Sequence, residues 1–99
     1  MKIKCPKCLP KEGIEIPKFE LNDKQKIIQF LSISPMKAIN YLKSEFSLSL
    51  LESKFIVLHV NQKYNKCNRC NKEHLNNEYV ICPKCNSLNI NWKIDNNEL

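Results

Sequence analysis

Six cysteines stand in three pairs of identical spacing: Cys5 and Cys8, Cys67 and Cys70, Cys82 and Cys85. In a Cys-x-x-Cys turn, two thiolates reach one ion while the backbone between them offers N–H groups to sulfur. Two such turns facing each other close a tetrahedral structural site. Each turn favours a residue of positive φ just after its second cysteine, a place glycine often takes. Asn71 and Asn86 hold those places in the later two pairs, and asparagine is the next-best occupant of the left-handed region. Cys8 is followed by Leu9, which precedes Pro10 and is pushed toward extended backbone. Turn chemistry therefore selects Cys67, Cys70, Cys82 and Cys85 as the ligands of one zinc ion. They make a zinc ribbon in which the eleven residues 71–81 suit a short hairpin.

The first pair has several uses. With both histidines of the chain it makes a second tetrahedral set, Cys5, Cys8, His59 and His74, and two ions per chain. Alternatively the pair is shared between two chains, or its thiols stay free. In those cases His59 is a buried or interfacial helix residue of FIVLHV, and His74 faces solvent beside the first knuckle. The poor turn after Cys8 favours a single zinc, with the first pair tethering the N-terminus. Dithiol redox catalysis places its motif between a strand and a helix in a βαβ unit, a setting neither Cys-Pro-x-Cys copy has.

Metal rather than disulfide chemistry follows from size and compartment. A chain of 99 residues buries only a modest core and needs a staple. The opening MKIKCPKCLPKEG carries no apolar segment or small-residue cleavage site, and the longest apolar run, FIVLHV, is far too short to span a membrane. The expectation is a cytoplasmic protein whose thiols stay reduced. The net charge of +6 invites a nucleic-acid reading. Arg69, however, is the only arginine among sixteen basic residues, and arginine is the residue that forks onto phosphates and bases. The charge is also spread along the chain, so a solvated lysine surface is the simpler reading.

The elements that must position these cysteines fall into three segments. Residues 1–20 read as a hairpin turning at Gly13, with IEIP as its second strand. Residues 21–60 change to helical period. NDKQKIIQFL places Leu21, Lys24, Ile27, Ile28 and Leu31 on one face, capped by Asn22 or Asp23. SPMKAINYLKSEF starts with Ser34 as cap and Pro35 at the first helical position, and Pro35, Ala38, Ile39, Leu42 and Phe46 form an apolar stripe. Ser49 and Glu52 have the spacing of a capping box for a third helix, apolar nearly all round and expected to be the most buried. Residues 61–99 return to period two. In SLNINWKI, Leu88, Ile90, Trp92 and Ile94 alternate with Asn89, Asn91 and Lys93, a strand with one buried face. The fold class is α+β: a short three-helix unit inserted between an N-terminal hairpin and a C-terminal zinc ribbon.

Two resemblances add to this reading. The ending CPKCNSLNINWKIDNNEL is similar to the zinc domain of the hydrogenase-maturation nickel chaperones, which run CPxC, a serine, a short strand and Glu-Leu. Those proteins begin Met-His, with the histidine as nickel ligand; this chain begins Met1–Lys2, and nickel delivery is not implied. MKAINYLKSEFSLSLLESKFIV, residues 36–57, resembles the C-terminal domain of the ribosomal stalk protein of the large subunit. That family follows an amphipathic helix with Gly-Leu-Gly-Leu-Lys-Glu-Ala-Lys, and here Leu48, Leu50, Glu52 and Lys54 match, with Ser47 and Ser49 in place of the glycines. The resemblance implies a tight helix–helix corner, closed here by hydroxyls. It also implies a face that contacts translation factors, at Met36, Ile39, Lys43 and Lys54.

These features exclude most enzymes. There is no Ser/His/Asp set and no phosphate-cradling loop with a single glycine, and a four-thiolate site leaves no open position for a small-molecule substrate. The expected function is a small, basic, non-catalytic zinc-binding protein that engages a protein partner, with a link to translation. The alternative is a nucleic-acid binder using the basic run Lys63, Lys66, Arg69 and Lys72 around the first knuckle.

Overall fold

A computed structural model describes residues 2–8 and 11–93. Leu9, Pro10 and Ile94, which entered the reading of the first turn and the last strand, lie outside the described residues. Two short strands, β1 (Lys2–Ile3) and β2 (Ile14–Glu15), pair antiparallel with Ile3 opposite Ile14. Gly13 makes this hairpin possible. Its φ is +85°, and a Cβ there would collide with the carbonyl oxygen of Ile3.

Three helices follow: α1 (Leu21–Ile33), α2 (Pro35–Phe46) and α3 (Leu50–His59). The start of α1 differs from expectation. The N-cap is Glu20, whose backbone N–H donates to Asp23 Oδ2 at 3.0 Å, so Asp23 sits one turn inside the helix. Leu21 then falls outside the buried stripe and is 50% exposed, while Ile27 and Leu31 pack inward. The other two starts are as expected. Ser34 Oγ accepts from the Met36 N–H at 3.2 Å with Pro35 beside it. Ser49 and Glu52 exchange bonds of 3.1 and 2.9 Å. Ser47 closes α2 in left-handed conformation, φ +54°, where the stalk family has glycine. Helix α3 is more one-sided than its composition suggests: Phe55, Ile56, Val57 and His59 are buried, but Leu50, Leu51 and Leu58 are exposed.

The C-terminal segment corrects two expectations. Residues 71–81 do not form a hairpin of their own. Instead β3 (Tyr79–Ile81) enters the last Cys-x-x-Cys turn and β4 (Leu88–Ile90) leaves it, so that knuckle is the hairpin's turn. The stretch before β3 is polar and carries a single aliphatic side chain, Leu75, which is buried against the cysteines. The second correction concerns β4, which is buried on both faces. Asn89 is 0% and Asn91 1% exposed, because their amides satisfy the backbone of the irregular segment around them. Asn91 Nδ2 donates to the carbonyls of Leu75 (2.7 Å) and Asn77 (3.2 Å), and its Oδ1 accepts from the Asn65 N–H (2.9 Å) and Asn61 Nδ2 (3.2 Å).

One core runs through all three segments. It includes Ile3 and Ile14 of the hairpin, Ile27, Leu42 and Ile56 of the helices, and Leu88, Ile90 and Trp92. Phe19 joins its ends, packing edge-on against Phe46 at 4.8 Å and Trp92 at 5.4 Å. The end of α3 runs into β4: Val60 bridges Ile90 in parallel, and the Asn61 N–H donates to Ile90 O at 2.8 Å. No helix among the described residues is long and apolar enough to cross a membrane.

Candidate metal centre

Among the described residues, two groups of side chains are arranged so that each can hold a metal ion. The first is Cys67, Cys70, Cys82 and Cys85, whose four sulfurs lie within 4.8 Å of one another. Cys67 and Cys85 approach to 3.6 Å and Cys70 and Cys82 to 3.5 Å. A tetrahedral ion with metal–sulfur bonds of about 2.3 Å requires sulfur–sulfur edges of roughly 3.8 Å, so the four atoms already outline its coordination shell. Both turns have the geometry read from the sequence. Asn71 and Asn86 take φ of +65° and +63°, and their N–H groups close onto the carbonyls of Cys67 (3.2 Å) and Cys82 (2.8 Å).

The surroundings stabilise negative sulfur. Burial opposes ionisation of Cys67, but the backbone N–H groups of Cys70 and Arg69, the Asn89 amide and the Cys85 thiol outweigh it and bring Cys67 down to about 6. Cys82 is likewise lowered, by the N–H groups of Cys85 and Lys84 against the effect of burial. Cys85 is pushed up to about 11 by burial and by its neighbouring cysteines. Four thiolates at this spacing need a cation among them. Asn89, which the sequence reading placed on a solvent face, is part of the support. Its Nδ2 donates to Cys67 Sγ at 3.5 Å and its Oδ1 accepts from the Asn68 N–H at 2.8 Å.

The second group is Cys5, Cys8 and His59, with ligand atoms again within 4.8 Å. Helix α3 carries His59 to the cysteine turn fifty-one residues earlier, with Cys8 Sγ 3.4 Å from Nε2. Cys5 is brought down to about 6: burial opposes this, and the N–H groups of Leu88 and Lys7 with the Cys8 and His59 side chains outweigh it. Cys8 is raised by burial and by Cys5, with Arg69 acting in the opposite sense. His74, the other histidine of the expected set, is exposed, lies at φ +69° and stands outside the group.

The expected binding faces are placed as follows. Met36, Lys43 and Lys54 are exposed, while Ile39 packs in the core at 7% exposure and presents no contact surface. An open cavity of about 460 Å³ lies between the helices and the first knuckle, its lining including Leu31, Pro35, Val57 and Leu58 together with Lys63 and Lys66. Of the basic run, Lys63 and Lys66 line this cavity and Arg69 and Lys72 do not. No family model, curated protein or solved structure matches the chain.

Proposed function

We propose that this is a small non-catalytic module, held together by zinc at Cys67, Cys70, Cys82 and Cys85, that docks an apolar, acidic segment of a partner protein. Zinc suits a set of four thiolates in tetrahedral array, and with all four positions taken by protein the ion is structural. The observation that carries the docking reading is Leu58. It is 72% exposed on α3 and lines a cavity that Lys63 and Lys66 also line. An exposed leucine beside an apolar cleft edged with lysines complements a segment that pairs apolar anchors with carboxylates. Lys54 and Leu51 continue the same helix face, one and two turns earlier. The stalk-protein resemblance makes a translation factor the first partner to try.

The test is a titration of isotopically labelled, zinc-loaded protein with an acidic amphipathic peptide, and separately with single- and double-stranded oligonucleotides. The proposal expects the peptide to shift the amides of residues lining the cavity, and Leu58→Glu to abolish the response. Oligonucleotide binding that falls steeply with salt, through Lys63, Lys66, Arg69 and Lys72, together with silence toward the peptide, would replace this reading with the nucleic-acid one.

A further inference from the structure

The Cys5, Cys8 and His59 group has the features of a metal site in its own right. His59 ends α3 at 3% exposure, and its ring is fixed at both ends. Nδ1 lies 2.6 Å from the carbonyl oxygen of Phe55, one helical turn back. A carbonyl only accepts, so Nδ1 carries the proton and donates it, which leaves the Nε2 lone pair aimed toward Cys8 Sγ at 3.4 Å. This is how proteins orient a ligating imidazole. For metal–sulfur and metal–nitrogen bonds of about 2.3 and 2.0 Å, a tetrahedral ion sets its sulfur and nitrogen ligands roughly 3.5 Å apart. The cysteine turn is formed as well: the Cys8 N–H closes onto Cys5 O at 3.2 Å.

The position is also built into the rest of the fold. Asn68, inside the first knuckle of the four-cysteine site, donates through Nδ2 to the carbonyls of His59 at 2.7 Å and Leu88 at 3.4 Å. One asparagine thus holds the backbone of both the histidine and β4. Among the described residues no fourth cysteine, histidine or carboxylate joins the group.

We propose that Cys5, Cys8 and His59 bind a second zinc ion through three protein atoms, its fourth position filled by a small ligand from solution. Two thiolates and an imidazole are a soft-to-borderline set that suits zinc. The ion ties the N-terminal hairpin to the end of α3, adding to the core contacts that Ile3 and Ile14 make. Unlike the four-thiolate ion, it is open to exchange with small thiols or anions.

The full chain, prepared reduced and loaded with zinc, tests this by metal count in native mass spectrometry. Two ions per chain are expected, falling to one in Cys8→Ser. A count of one in the wild type that Cys8→Ser leaves at one overturns the proposal. Alkylation of wild-type protein needs no variant. Zinc should protect Cys5 and Cys8 and a chelator should expose them, and equal reactivity with and without zinc counts against the site. Cobalt(II) in place of zinc reads the fourth position. Azide or a small thiol should shift the absorption bands of the cobalt ion that Cys8→Ser removes, and leave those of the other unchanged. Bands indifferent to both additions contradict the open position.

Discussion

Asn89 offers the sharpest test of how the protein supports its four-cysteine site. Its amide is fully buried, donating to Cys67 Sγ and to Ser87 O (3.2 Å) and accepting from the Asn68 N–H. Asn89→Ala removes all three bonds. The Asn68 N–H loses its acceptor, which costs about 1–3 kcal/mol in a buried setting, toward the lower end here because that segment is partly solvated. The Ser87 carbonyl keeps the Cys82 N–H at 2.9 Å and is not orphaned. Loss of a donor to a ligating atom typically lowers metal affinity about 10–100-fold, which is about 1.4–2.7 kcal/mol. The zinc-loaded variant should therefore unfold about 2–4 kcal/mol more easily in urea. With cobalt(II), its sulfur-to-metal charge-transfer band should move, because Cys67 loses a hydrogen bond. Asn91→Ala is the control: it removes four bonds to the neighbouring backbone and Asn61, none to sulfur. It should destabilise by a similar amount, about 3 kcal/mol, with the band in place. A band that moves in Asn91→Ala and not in Asn89→Ala would refute the assignment of Asn89 to sulfur support.

Other outcomes follow from single positions. Gly13→Ala forces an L-residue into left-handed backbone, about 1–2 kcal/mol, and drives its Cβ into Ile3 O; thermal unfolding should show at least about 2 kcal/mol of loss, with faster alkylation of Cys5. Ser47→Gly should stabilise by up to about 1 kcal/mol, because φ +54° at the end of α2 favours glycine, and thermal melting should shift upward by a few degrees. Tyr41 donates to Asp23 Oδ1 at 3.1 Å, and burial together with that carboxylate pushes its hydroxyl up to about 12. The folded state then keeps a proton that an unfolded tyrosine releases near pH 10. Stability should fall as pH rises from about 10 toward 12, and denaturation curves of Tyr41→Phe should lose that part of the slope.

The legible parts of the fold were those whose causes are local. Ser34–Pro35 and Ser49–Glu52 set helix starts within one turn of chain, and both caps form. Asn71 and Asn86 follow from what a Cys-x-x-Cys turn demands of its next residue, and both adopt it. The α1 start was displaced because Glu20 caps as Asn22 or Asp23 was expected to, and carboxylates at neighbouring positions compete for the same backbone donors. Asn89 of β4 and Asn91 just after it misled for a different reason. Alternation with isoleucine and tryptophan looks like a solvent face, yet these amides replace a missing third strand by bonding directly to the loop that covers them. A polar side chain able both to donate and to accept is the only signal the sequence carried. The meeting of His59 with Cys5 and Cys8 depends on the packing of α3 against the hairpin, a long-range contact with no local signature. Counting ligands raised the group, and only the fold separates His59 from His74.

Zinc at Cys67, Cys70, Cys82 and Cys85 should be part of the fold itself. This is tested most directly by amide NMR of the reduced chain, before and after a strong chelator and again after zinc is restored. Metal binding and folding should be one process here. Resonances from Cys67 to Trp92 should lose their dispersion on chelation. Those of α3 should broaden with them, because Leu88, Ile90 and Trp92 belong to the core that the helices share, and zinc should restore the spectrum. A spectrum that keeps its native dispersion in metal-free protein would contradict the account.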